Sequence, residues 1–108
     1  MLLLWVLIYC SFSVTYAQNQ IKNNDLKTLI IDVRTKYEYG RGHLKNAINI
    51  PHTQIKHKIK EHTKDKDSKI IVYCQSGYRS RTAKKILGKN GYKDVINAGA
   101  YAKLKNKY

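Results

Sequence analysis

Apolar residues along the chain gather in short runs, and polar, lysine-rich stretches separate them. Leu29-Ile30-Ile31-Asp32-Val33, Ala47-Ile48-Asn49-Ile50 and Lys69-Ile70-Ile71-Val72-Tyr73 are β-branched runs of strand length, the second closed by Pro51. Asp94-Val95-Ile96-Asn97 is a fourth. Between them, Thr35–Arg41 supports at most one helical turn. Thr53–Thr63 places Ile55 and Ile59 four apart among Lys and His, the pattern of an amphipathic helix. Asp65–Ser68 reads as a loop. Tyr78 to Leu87 reads as a helix with Ala83, Ile86 and Leu87 inward and Gly88 near its end. Asn90-Gly91 marks a turn, and Ala100–Lys105 a last basic helical segment. Near-continuous apolar strands alternating with helices define an α/β domain with a small, mostly parallel sheet flanked by helices.

The first seventeen residues have another character. Met1–Ala17 carries no Lys, Arg, Asp or Glu, and Leu2–Cys10 is an unbroken apolar run. Ala17 supplies a small residue at a cleavage position, so residues 1–17 are expected to be a cleaved signal peptide and 18–108 the mature domain outside the cytoplasm. The segment lacks the usual basic start. It is shorter than the roughly 20 apolar residues of a spanning helix, so membrane contact is expected only during export. A retained anchor and a lipid-modified Cys10 are the alternatives, and bulky Tyr9 fits the second poorly. Gln18–Lys27 is a short polar lead-in.

At 108 residues the chain holds one domain, and 43% hydrophobic with 26% charged residues is ordinary globular composition. Its 21 Lys and Arg against 7 Asp and Glu give a net charge of +14. Two cysteines, Cys10 and Cys74, exclude a disulfide-stapled scaffold. After export Cys74 would stand alone, and a lone thiol in an oxidising compartment is a liability unless buried or used.

Its surroundings favour use. Ligands of parallel sheets bind outside the carboxyl ends of the strands, and Tyr73-Cys74-Gln75-Ser76-Gly77-Tyr78-Arg79-Ser80 passes there from strand to loop to helix start. A thiolate at that place meets the positive end of a helix and its unpaired N–H groups. Arg79 adds a full charge, so the Cys74 thiol is expected below its ordinary value, with Arg79 as anion ligand. The bland reading, a small hydrophobe ending a buried strand, accounts for Cys74 but not for the Gly, Arg and helix start that follow.

YCQSGYRSRTA resembles the active-site loop of rhodanese-like sulfurtransferases. Asp32-Val33-Arg34 with Glu38-Tyr39, Gly42-His43-Leu44 and Ala47-Ile48-Asn49-Ile50-Pro51 resemble that family's upstream signature. Gly91–Val95 and Asn97-Ala98-Gly99-Ala100-Tyr101 resemble its closing segments. The likeness runs from Leu29 to Leu104 and is closest to the exported single-domain type. Two positions depart: Lys45-Asn46 stands where the family often has proline-glycine, and Ala100 where it often has a second glycine. Asn tolerates left-handed backbone, whereas Ala100 is expected to reshape the last loop slightly.

The resemblance implies a thiosulfate sulfurtransferase without cofactor or metal, in which Cys74 carries a persulfide and passes sulfur to a thiophile such as cyanide. The backbone of Gln75, Ser76, Gly77, Tyr78 and Arg79 would cradle substrate, and ping-pong kinetics follow. A persulfide relay or binding module for a protein partner is the non-enzymatic alternative. A cysteine phosphatase or arsenate reductase needs five residues between Cys and Arg; here four separate Cys74 from Arg79, and Ser80 takes the arginine's place. Asp32 and Arg34 read as an ion pair that orients the loop or only supports the sheet. His43 reads as structural, and His52, His57 and His62 do not share one helix face. The charge reflects a lysine-rich composition, with Arg79, Arg81, Lys84 and Lys85 placed to attract small anions such as the sulfur donor. No nucleic-acid platform is visible, and a monomer is expected.

Overall fold

The computed structural model describes residues 28–107. The expected signal segment, Cys10 and the lead-in lie outside the described residues.

Four parallel strands form one sheet in the order β2-β1-β3-β4: β1 Thr28–Asp32, β2 Ile48–Asn49, β3 Lys69–Cys74 and β4 Asp94–Ala100. Alternation along β1 and β3 sends successive side chains to opposite faces. Ile31, Val33, Ile70, Val72 and Cys74 join one apolar cluster; Ile30, Ile71 and Tyr73 join the other. The first cluster is closed by Ile55 and Ile59 and by Ala83 and Leu87. The second is closed by Leu44, Ala47 and Leu104.

Helix α1, Lys36–Gly40, is the single turn expected, started by a capping box in which Thr35 and Glu38 satisfy each other's backbone N–H groups. Helix α3, Tyr78–Lys89, follows β3, and α4, Tyr101–Leu104, follows β4. The amphipathic stretch before β3 is not one helix. It breaks into 3-10 turns at His52–Gln54 and Ile59–Glu61 around a short α2, Ile55–Lys58. None of the three has a side-chain cap; the buried Ile55 and Ile59, with a backbone bond from the His52 N–H to the Val33 carbonyl at 2.9 Å, hold the segment to the sheet. β2 is shorter than its apolar run, while β4 is longer. A bulge at Ala98 lets β4 continue past Asn97, with Gly99 at φ +96° opposite Tyr73. Asn46 has φ +68° and is the only non-glycine in the left-handed region among the described residues. Ala100 is extended at φ −98°, so no glycine is required there.

Candidate active site

From β1 the chain moves outward to β2, then returns across β1 to β3, so the connections leaving β1 and β3 diverge. A crevice opens outside the carboxyl ends of these two strands, the usual ligand site of such sheets. Arg34 leaves β1 on one side of it and Gln75 leaves β3 on the other.

Cys74 ends β3 and is fully buried. One side of it belongs to the apolar cluster with Val72, Ala83 and Leu87. The sulfur also meets polar groups: the Gly77 N–H donates to Sγ at 3.0 Å and the Ser80 hydroxyl approaches it at 3.5 Å. Gly77 is the N-cap of α3 at φ +98°, a conformation strained for any residue with a Cβ. Being glycine, it brings no capping oxygen, and the first turn of α3 holds no acid. The N–H groups at this helix end are therefore left for the sulfur and an incoming anion. Burial pushes the Cys74 thiol up, but hydrogen bonds from the Ser80 side chain and from the backbone of Ser80, Gly77 and Ser76 outweigh it, and the thiol lies below its ordinary value. The direction agrees with the sequence reading; the groups that lower the thiol most are neutral dipoles, not the Arg79 charge.

Ser80 is itself fully buried. Its hydroxyl lies 2.7 Å from Asn97 Oδ1, 3.0 Å from the Gly77 carbonyl and 3.5 Å from Cys74 Sγ. Three acceptors compete for one proton, and a thiolate is the only charged one among them. Asn97 Oδ1 also accepts from the Gly99 N–H at 3.0 Å, tying the β4 bulge to the loop.

Arg79 does not stand free beside the sulfur. Its Nη1 and Nη2 donate to Glu38 Oε1 and Oε2 at 2.7 and 2.9 Å. Arg79 holds the Glu38 carboxyl at about 2. Glu38 raises the Arg79 guanidinium in turn. Thr35-x-x-Glu38 is legible as a capping box, but the contact across 41 residues carries no local signal, and sequence reasoning missed it.

Arg34 acts both as buried ion pair and as loop brace. Its Nε and Nη2 grip the Asp32 carboxylate at 2.6 to 3.0 Å; Nη2 also reaches the Gly42 carbonyl at 2.7 Å, and Nη1 donates to Gln75 Oε1 at 3.1 Å. The guanidinium lies 4.3 Å over the Tyr101 ring. Burial lowers its pKa, yet the bonds to Asp32 outweigh that and hold it above the ordinary value. Of the other site candidates, Gln75 and Ser76 are exposed and Tyr78 is 68% exposed. His43 stacks on Tyr39 at 3.7 Å and Nδ1 lies 2.9 Å from its carbonyl, a local structural role.

This arrangement can hold a thiolate at a helix start, with backbone donors around it and no further general base. A family model described as Rhodanese-like domain matches residues 6–107. Thiosulfate sulfurtransferase PspE of Escherichia coli (strain K12) is 44% identical over 69 residues, covering 64% of this chain and 66% of PspE. tRNA uridine(34) hydroxylase of Buchnera aphidicola is 39% identical over 89 residues, covering 76% of this chain but 28% of the hydroxylase. The chain thus spans just under two thirds of one curated relative and less than a third of the other. Among solved structures, a rhodanese with anions from E. coli shares 40% identity at TM-score 0.67, over 69% of this chain and 88% of that one. With the parallel sheet and the Cys74 loop at its crevice, these matches establish that the chain belongs to the rhodanese-like domain family.

Proposed function

We propose that the protein is a thiosulfate sulfurtransferase that works through a persulfide on Cys74. The observation that carries this reading is the Cys74 sulfur at the uncapped start of α3, with the Gly77 N–H on it at 3.0 Å. The thiolate attacks the outer sulfur of thiosulfate. The bond from that sulfur to the sulfonate breaks, its electron pair leaves with sulfite, and Cys74 keeps the sulfane sulfur as a persulfide anion. Cyanide or another thiophile then takes the outer sulfur, and the electron pair of the S–S bond returns to Cys74. The backbone of Gln75, Ser76, Gly77, Tyr78 and Arg79 is the cradle in this reading. Cys74 is fully buried while the adjoining Gln75 and Ser76 are exposed, so the donor approaches from the side of this loop.

The phosphatase reading finds no support in the site. Ser80, at the position where that chemistry needs arginine, is buried against the thiol. The charge-free stretch Met1–Ala17 supports export as part of the proposal, and N-terminal sequencing from Gln18 on extracytoplasmic protein would check it.

Steady-state thiosulfate:cyanide turnover tests the reading. Thiocyanate formed with ping-pong kinetics, and abolished in Cys74→Ser, is expected; a persulfide that forms but never turns over would favour a relay module instead.

A further inference from the structure

The acidic residues are unevenly placed. Of the six among the described residues, Asp32 and Glu38 lie at the carboxyl end of the sheet, and both are taken by Arg34 and Arg79 in the two ion pairs present there. The other four, Glu61, Asp65, Asp67 and Asp94, lie in the connection entering β3 or at the start of β4, at the opposite end. A general excess of lysine would not sort the acids in this way. Among the described residues, the crevice end is left with cations in no ion pair, Arg41, Arg81 and Lys105 among them.

Two exposed tyrosines stand in this field. Tyr37 and Tyr78 are 71% and 68% exposed and are the only large exposed hydrophobic side chains among the described residues. Each directly precedes one member of the Glu38–Arg79 bridge, which ties together α1 and α3, the helices that carry them. Arg41 lies over the Tyr37 ring at 5.7 Å and Arg81 over the Tyr78 ring at 5.3 Å. From Tyr78 a groove of about 590 Å³ runs along the outer face of α3, lined by Arg81, Thr82, Lys84 and Lys85. Tyr78, Arg81, Thr82 and Lys85 have the spacing of one helix face, opposite the buried Ser80, Ala83 and Leu87. Lys85 is about 10 Å along the axis from Tyr78, beyond the reach of a small donor seated at Cys74.

We propose that this face, the first two turns of α3 with the Tyr37–Arg41 pair at its rim, docks an acidic segment of a protein whose cysteine receives the sulfur. Exposed Tyr and Arg are the side chains that anchor protein interfaces, and a single-sign rim selects and steers an opposite-sign partner. Single-stranded RNA would need open aromatic faces for stacking, and here an arginine already lies over each ring. The inference rests on the Cys74 persulfide. The partner's thiolate attacks the outer sulfur, the Cys74 S–S bond breaks, its electron pair returns to Cys74, and the partner leaves as the persulfide.

The test loads the protein with thiosulfate, removes the excess, and follows discharge of the persulfide by two decapeptides, each with one cysteine, flanked by Glu in one and Gln in the other. At low salt the Glu peptide is expected to react about tenfold faster, with the ratio falling as salt screens the rim. In the triple variant Arg81→Glu, Lys84→Glu, Lys85→Glu the ratio should drop below one, and comparison with the wild type cancels the peptides' own reactivities. Should that variant fail to fold, the corresponding Gln triple variant is expected to bring the ratio toward one. A wild-type ratio near one, a ratio that survives the substitutions, or binding of decauridylate without binding of the Glu peptide would each overturn the proposal. Failure of the persulfide to form at all would instead fall on the functional reading.

Discussion

The Arg79 guanidinium and the Glu38 carboxylate meet through two near-parallel hydrogen bonds of 2.7 and 2.9 Å, closing α1 onto the start of α3 beside the candidate nucleophile. An anionic donor seeking Arg79 therefore competes with a carboxylate already in place. Glu38→Gln keeps the Thr35 capping box and frees the charge, so the KM for thiosulfate should fall several-fold, as expected for about 1 kcal/mol of ion pairing. Arg79→Ala should slow persulfide formation on the order of 10–100-fold, and Glu38→Gln added to it should restore part of the loss. Stopped-flow rates for the four proteins measure this coupling; strictly additive effects would contradict it.

The same bridge has a pH signature. Glu38 sits at about 2, below its ordinary value near 4.5, so the stabilisation it gives is complete above that ordinary value and is lost as pH falls toward 2. In Arg79→Ala the Glu38 carboxyl should titrate back in the ordinary range. NMR titration of the Glu38 side chain reads both; an unchanged midpoint would remove Arg79 as the cause.

Ser80 provides the largest contact that lowers the Cys74 thiol. Ser80→Ala should move the pH profile of Cys74 alkylation upward, with a stability loss of about 1 kcal/mol for the buried bond to Asn97. Ser80→Thr should keep the hydroxyl and most of the profile. An alkylation profile identical in Ser80→Ala and wild type would show that the backbone donors suffice.

Arg34→Ala would leave the fully buried Asp32 carboxylate without its partner. A cost of about 3–5 kcal/mol is expected, and urea unfolding should show the corresponding fall in midpoint. Arg34→Lys keeps a charge but cannot grip Asp32 while holding Gly42 and Gln75, so it should lose loop order and activity more than stability. A change below about 1 kcal/mol in Arg34→Ala would contradict the brace.

At Asn46, φ +68° makes a direct backbone prediction. Asn46→Gly should be tolerated, and Asn46→Val should cost about 1–2 kcal/mol through left-handed strain. Thermal unfolding of the two variants separates them, and equal midpoints would refute the strain.

The sheet was legible because its two central strands, β1 and β3, are apolar runs buried on both faces, as in Ile70-Ile71-Val72-Tyr73. The Cys74 loop was legible because strand, glycine and helix start are contiguous. What escaped depends on distance or on absent caps. Glu38 meets Arg79 41 residues away, and Asn97 meets Ser80 across 17 residues, beside the bulge at Ala98. The stretch Thr53–Thr63 has the helical period, yet without caps it coils into short 3-10 and α turns over Ile55 and Ile59. The fourth strand read as ending at Asn97, whereas β4 runs on to Ala100, with Gly99 in the left-handed region after the bulge.

The central claim is that Cys74 holds a transferable sulfur atom. Intact mass spectrometry after incubation with thiosulfate measures it most directly. The account predicts a gain of about 32 Da, one sulfur atom, located on Cys74, removed by cyanide and absent from Cys74→Ser. No gain in the wild type, or the same gain in Cys74→Ser, would contradict it.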